Sequence, residues 1–181
     1  MSGAKIDGRT ADELILKIAA GDMAALESLY RAMYGEISAY LCSMLGGDRQ
    51  SAEDLAQDTF IRVFRYAPKF APMGQGRAWV YRIAGRLALT HLSSLPPAPV
   101  GLDEHLCGGA DVEEQAVNSH AVAQAMASLP PEERQVVSLH AVSGLTLREI
   151  SEMLGQPLGT VKWRHAEAIK KLKVLLGGLT S

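Results

Sequence analysis

Three groups of side chains have types and spacings that could do chemistry. The first is acidic. Asp54 and Asp58 stand four residues apart, with Gln57 between them and Ile61 three residues beyond. At about 100° per residue these four and Arg65 share one side of a helix. Carboxylates along a helix flank do not form a cleft for general acid–base work. That side is either a solvated face near a helix N-terminus, where acids are favourable, or a docking face with an apolar centre and a charged rim. The second group is basic and aromatic: Lys69, Arg77, Trp79, Arg82 and Arg86. Cations that hold phosphate beside rings that stack on bases suit single-stranded nucleic acid. For Trp79 alone, packing in a core is the simpler reading. The third group is Arg148, Thr160, Lys162, Trp163 and Arg164, types that reach phosphates and base edges of a duplex. His105 and Cys107 are two ligands where a zinc site needs more, so no metal is expected. No phosphate-cradling glycine loop is present, and no cofactor or catalytic residue is expected.

The elements that must position these groups are helical. Leu14, Ile15 and Ile18 precede Gly21, and Asp22 can cap the next helix. Leu26, Leu29, Tyr30, Met33, Ile37, Tyr40, Leu41, Met44 and Leu45 recur at helical steps up to Gly46 and Gly47. Ser51 is the expected cap of the acidic helix. Its expected core stripe is Leu55, Ala56, Thr59, Phe60, Val63 and Phe64. After a Pro- and Gly-containing loop, Val80, Ile83, Ala84 and Leu87 form the inner stripe of another helix, with Trp79 and Tyr81 flanking it. Arg82 and Arg86 lie on its outer face. No alternating run supports a strand.

In the second half, Pro130 to Glu133 opens a helix that Gly144 ends. Thr146 and Glu149 fit a capping box. A short helix through Ile150 and Leu154 stops at Gly155, and a last helix buries Val161, His165, Ala168, Ile169, Leu172 and Leu175. Two helices broken by a glycine turn form a helix-turn-helix pattern, with Thr160 to Arg164 at the exposed start of the second. An ordinary helical hairpin with lysines near a C-terminus is the alternative. His91, His140 and Cys42 are expected in the core.

Between the halves the composition changes. Residues 1–95 carry net charge +1, residues 96–120 carry −5 without one Lys or Arg, and residues 121–181 carry +2. The middle segment opens Pro96-Pro97-Ala98-Pro99 and contains Gly101, Gly108 and Gly109. The expected organisation is all-α: two small helical domains, 1–95 and 118–181, joined by a flexible acidic linker over 96–117, the second a helix-turn-helix. The chain has 181 residues, 48% hydrophobic, and no apolar run of membrane-spanning length. The first ten residues lack a signal-peptide layout. Two cysteines make no disulfide framework, and a cytoplasmic location is expected. The total of −2 argues against a strongly basic nucleic-acid binder. Outside the acidic segment, however, the balance is positive.

Four motifs in order carry a family resemblance. They are Ala52-Glu53-Asp54-Leu55-Ala56-Gln57-Asp58-Thr59-Phe60; Ala78-Trp79-Val80-Tyr81-Arg82-Ile83-Ala84; Leu129-Pro130-Pro131-Glu132-Glu133-Arg134; and Gly159-Thr160-Val161-Lys162-x-Arg164. The chain resembles the extracytoplasmic-function (ECF) group of bacterial sigma factors over about residues 12–95 and 118–175. The resemblance implies an RNA polymerase subunit that reads promoters. Asp54, Gln57 and Asp58 would dock on the β′ clamp helices of core polymerase; the face pattern adds Ile61. Lys69, Arg77, Trp79, Arg82 and Arg86 would open the −10 element and hold its unstacked bases. Arg148, Thr160, Lys162, Trp163 and Arg164 would read the −35 duplex. An anti-sigma factor would cover these surfaces.

The sequence departs from the family at several points. Arg86 and Thr90 stand where R-N-L-x-x-D-x-x-R has Asn and Asp, and Ser93-Ser94 replaces the basic tail. Gly76 stands where an aromatic or apolar residue is usual before Trp79. Trp163 takes the place of a common small residue. Two other functions fit parts of the pattern: a helix-turn-helix regulator with a sensing domain, and a sigma mimic that sequesters an anti-sigma factor. The acidic helix followed by the Trp79 segment argues against the regulator.

Overall fold

The computed structural model describes residues 6–95 and 113–177, with side chains of the second part described from His120 onward. The segment 96–112, most of the expected linker, lies outside the described residues. The elements are α1 (Gly8–Ala19), α2 (Met23–Met44), α3 (Arg49–Tyr66), α4 (Gly76–Ser94), α5 (Glu113–Ala127), α6 (Pro131–Ser138), α7 (Leu147–Leu154) and α8 (Leu158–Gly177). A short 3-10 turn, Ala67–Lys69, follows α3, and a π-helical turn, Leu139–Ser143, follows α6. No strand occurs among the described residues.

Local chemistry sets the helix ends. Asp7 caps α1 by accepting the Thr10 N–H at 2.7 Å, and Asp22 caps α2 by accepting from Ala24 and Ala25. The cap of α3 is Asp48, which accepts the Ser51 N–H at 3.0 Å; the expected cap, Ser51, is already inside the helix. Asp48 follows the Gly46-Gly47 stop directly and reaches the free amides first.

The long helix α2 is the spine. Leu29, Met33, Ile37, Tyr40, Leu41 and Met44 are fully buried along it. Each such side chain contributes about 1.5–3 kcal/mol by leaving water. Helix α3 turns Ala52, Ala56, Thr59, Phe60 and Val63 inward. Phe64 and Tyr30, expected in the core, are instead exposed at its edge. Tyr30 stacks on Tyr34 at 4.7 Å and meets Phe60 edge-on at 5.0 Å, so a small aromatic cluster seals that edge.

The two halves share one core. Val136, Leu139, Leu145, Ile150, Met153 and Val161 join the buried cluster built on α1 to α4. Arg134 fastens the joint. It is 7% exposed, and its guanidinium donates to the carbonyls of Met44 (2.8 Å), Leu129 (2.9 Å) and Ala127. Met44 is the last residue of α2, where unpaired carbonyls and the helix dipole favour a cation. Around it, Ser43 and Ser138 share a hydrogen bond at 2.8 Å. Gly85 on α4 lets Gln135 and Tyr40 approach. A Cβ there would lie 2.7 Å from the Gln135 amide nitrogen and 2.9 Å from the Tyr40 hydroxyl.

Cys42 is buried, as expected. Leu175, expected inside, is 43% exposed.

Arg134→Met removes the donors and leaves three carbonyls without them. We expect it to lower the unfolding free energy by about 2–4 kcal/mol, read from urea denaturation. A loss below about 1 kcal/mol would show that the joint does not depend on this guanidinium.

Candidate nucleic-acid interface

Helix α3 has two outward flanks. Asp54, Gln57 and Ile61 are exposed on one, with Ile61 58% exposed between them. Asp58 lies at the border, half-buried. Its carboxylate accepts from Arg62 Nε at 3.1 Å. The acidic group foreseen from the sequence is thus one continuous surface with an apolar centre.

The other flank faces α4 across a cleft of about 350 Å³. Arg62, Tyr66, Lys69, Trp79, Arg82 and Arg86 line it, with Ile83 at its floor. Trp79 is half-buried against Phe70, ring centroids 4.9 Å apart, so one face packs while part of the indole stays open. The loop that leads into α4 is held from below. The buried carboxylate of Asp12, on α1, accepts the Gly74 N–H at 2.6 Å. Arg62 and Tyr66 were not singled out from the sequence. They follow Asp58 at steps of four, and that spacing was the available signal.

Arg77 sits apart from this cleft. Its Nη2 pairs with the Glu36 carboxylate at 2.6 Å and donates to the Ser143 carbonyl at 3.3 Å. Tyr81 also donates to Glu36, at 3.0 Å, and packs edge-on against Tyr40 at 5.4 Å. Burial pushes the Tyr81 phenol well above its ordinary pKa, and the Glu36 charge adds to that. Arg77 therefore serves the joint between the halves in this conformation. Arg82 and Arg86 also border a second groove of about 400 Å³, facing Gln135, Glu152 and Gln156.

The second half carries the helix-turn-helix. The capping box closes as expected: Glu149 N–H donates to Thr146 Oγ1 at 3.2 Å, and Thr146 N–H donates to the Glu149 carboxylate at 2.7 Å. The Thr146 N–H and hydroxyl, both donating to it, hold the Glu149 carboxyl below its ordinary pKa. Gly155 ends α7 at φ 64°, a left-handed turn that favours glycine. Ser151 Oγ donates to the Gln156 carbonyl at 2.6 Å, and Val161 is fully buried as the anchor of α8. Arg148 and Lys162 are exposed, Thr160 is half-buried, and Trp163 is 60% exposed. Arg164 is half-buried and donates to the Gln156 amide oxygen at 2.7 Å.

His140 is exposed rather than in the core, because the π-helical turn rotates it outward. Its Nδ1–H donates to the Leu145 carbonyl at 2.8 Å, and its ring meets His165 edge-on at 5.0 Å. His91 is half-buried.

A helical unit bearing an acidic face and a basic aromatic cleft, followed by a helix-turn-helix, is the layout of a sigma-70-type transcription factor. Residues 29–95 match the Sigma-70 region 2 family, and residues 125–174 match Sigma-70 region 4. The chain is similar to the ECF RNA polymerase sigma factor SigM of Mycobacterium tuberculosis, with 30% identity, covering 96% of this chain and 88% of that protein. The fold is similar to that of CnrH, solved in complex with the cytosolic domain of CnrY. That likeness has a TM-score of 0.75 and 22% identity, and covers 93% of this chain and 98% of CnrH. It is also similar to the sigma factor RpoE of Bartonella quintana, solved with the anti-sigma factor NepR. Here the TM-score is 0.64 and the identity 19%, covering 83% of this chain and 96% of RpoE. The chain belongs to the ECF family of RNA polymerase sigma factors.

The His140–His165 contact gives the helix-turn-helix a pH dependence. Burial, and then the charge of His140, hold the His165 imidazole below its ordinary pKa. Its stabilising effect is complete above the unfolded value of about 6.5 and declines as pH falls below it. The unfolding midpoint should therefore drop between about pH 7 and pH 5, and His165→Gln should flatten that drop. An equal drop in the variant would contradict the assignment.

Proposed function

We propose that this chain binds core RNA polymerase and directs promoter-specific initiation, without catalytic chemistry of its own. In this reading Asp54, Gln57, Asp58 and Ile61 engage the β′ clamp helices. Lys69, Arg77, Trp79, Arg82 and Arg86 hold the opened −10 strand. Arg148, Thr160, Lys162, Trp163 and Arg164 read the −35 duplex. The functional division is 1–95 for polymerase and −10 DNA, 96–117 as linker, and 118–181 for −35 DNA. The observation that carries the reading is α3 itself. It presents a carboxylate rim around an exposed isoleucine on one flank and a basic, aromatic cleft on the other. Protein docking and strand capture are then adjacent on one rigid helix.

The site works in the cytoplasm, where polymerase and promoter DNA are. No described helix is long and apolar enough to cross a membrane. An anti-sigma factor holds the chain inactive; the complexes of CnrH and RpoE with their partners support this part of the reading.

The packed halves have a consequence for DNA binding. Elements named −10 and −35 lie about 25 base pairs apart, roughly 85 Å at ~3.4 Å per base pair. A compact chain of this length has a radius of gyration near ~16 Å. The packed form cannot reach both elements, so the joint at Arg134 and Arg77 opens when the polymerase and promoter are engaged.

Asp54→Lys with Asp58→Lys tests the docking face. We expect core polymerase binding, measured by fluorescence anisotropy, to weaken at least tenfold while the circular-dichroism melting curve stays unchanged. Unaltered affinity would contradict the assignment.

A further inference from the structure

The Asp58–Arg62 ion pair lies where the two flanks of α3 meet. Asp58 belongs to the acidic face, and Arg62, one turn later, lines the basic cleft. The side chains are 39% and 42% exposed, so the pair is accessible from both sides. Two other pairs have the same spacing on exposed helix faces, Glu27–Arg31 and Glu53–Arg49. Neither lines the cleft. The remaining cleft cations, Lys69, Arg82 and Arg86, have no carboxylate within ion-pair distance among the described residues. Arg82 Nε is buried without a hydrogen-bond partner. One of four cleft cations is therefore neutralised, and the neutralising group is a residue of the docking face.

We propose that this pair is an exchange point that couples polymerase docking to DNA capture. This inference rests on assigning the acidic face to polymerase and the cleft to DNA. In the free chain Asp58 holds Arg62. When a cation of the polymerase takes Asp58, Arg62 is released into the cleft and contacts a phosphate of the captured strand. An exposed pair at this spacing is weak, so a better-placed cation displaces it readily. Arg62 is thus a positioning residue on the docking side and a phosphate ligand on the DNA side. The cleft gains one contact only after docking, which keeps the free chain from holding single strands tightly.

The test uses the full free chain and a fluorescein-labelled, random-sequence single-stranded DNA 12-mer, titrated at several salt concentrations. Asp58→Asn is nearly isosteric and frees Arg62 without polymerase. We expect its affinity for the 12-mer to rise roughly two- to fivefold, the strength of an exposed ion pair. The slope of log affinity against log salt should steepen by about 0.7, the value of one more single-strand phosphate contact. In the Arg62→Gln background the same substitution should produce neither change, and Arg62→Lys should restore part of both. Glu53→Gln, which removes a carboxylate five residues earlier, should leave the slope unaltered. An equal gain from Asp58→Asn with and without Arg62 would reduce the effect to general charge and overturn the exchange. So would an unchanged slope. Absence of 12-mer binding by every variant would remove the cleft as a DNA site, and the exchange with it. Core binding is measured separately on the same proteins. If Asp58→Asn left it intact while the 12-mer response stood, the polymerase would not take Asp58 and the coupling would be overturned, leaving only the pair's restraint on Arg62.

Discussion

The packing of the second half on the first depends on one buried cation. Among the described residues Arg134 has no carboxylate partner; it is balanced by carbonyls at the end of α2 and in the α5–α6 connection. Burial lowers its pKa, a measure of what desolvation costs even a guanidinium. That cost is offset only while all three carbonyls converge. Their convergence fixes α6 on α2, sets Gln135 against Gly85, and brings the Ser143 carbonyl to Arg77. Around these polar fastenings Val136, Leu139, Ile150 and Met153 bury apolar surface against the first half, so the joint combines both kinds of contact.

The closed arrangement treats the three candidate surfaces differently. The acidic flank of α3 remains exposed. Arg148, Lys162 and Trp163 also remain exposed on the helix-turn-helix. Within the candidate −10 group Arg77 is committed to Glu36, whereas Lys69 and Arg86 are exposed. A chain of net charge −2 has weak long-range attraction to DNA. Under the proposed function, its basic groups act once a larger assembly has brought them to the promoter.

Much of each half was legible in the sequence, and the joint was not. The Thr146–Glu149 box, the Gly155 turn and the Val161 anchor follow from capping rules and spacing, because those are interactions among near neighbours in the chain. The α2 stripe followed from periodicity for the same reason. Periodicity, however, assigns a face and not its width. Phe64 and Tyr30 sit at the margin of their stripes and came out exposed. His140 was misplaced because a π-helical turn shifts register by a residue, which a 3.6-residue period cannot foresee. Among the site residues, the members of the cleft on α4 were visible as a basic and aromatic group. Arg62 and Tyr66 were hidden because they belong to a helix read for its acids. Arg134 and Arg77 make contacts between the halves, and a single sequence carries no local signal for such contacts.

The central claim is that the chain is packed when free and separates to span a promoter when bound to polymerase. Single-molecule energy transfer between dyes at Glu27 and Lys173, both exposed and outside the candidate sites, tests it directly. The account predicts one high-transfer population for the free chain and a low-transfer population in the complex with core polymerase and promoter DNA. The same high transfer in both states, in a complex that still initiates transcription, would contradict it.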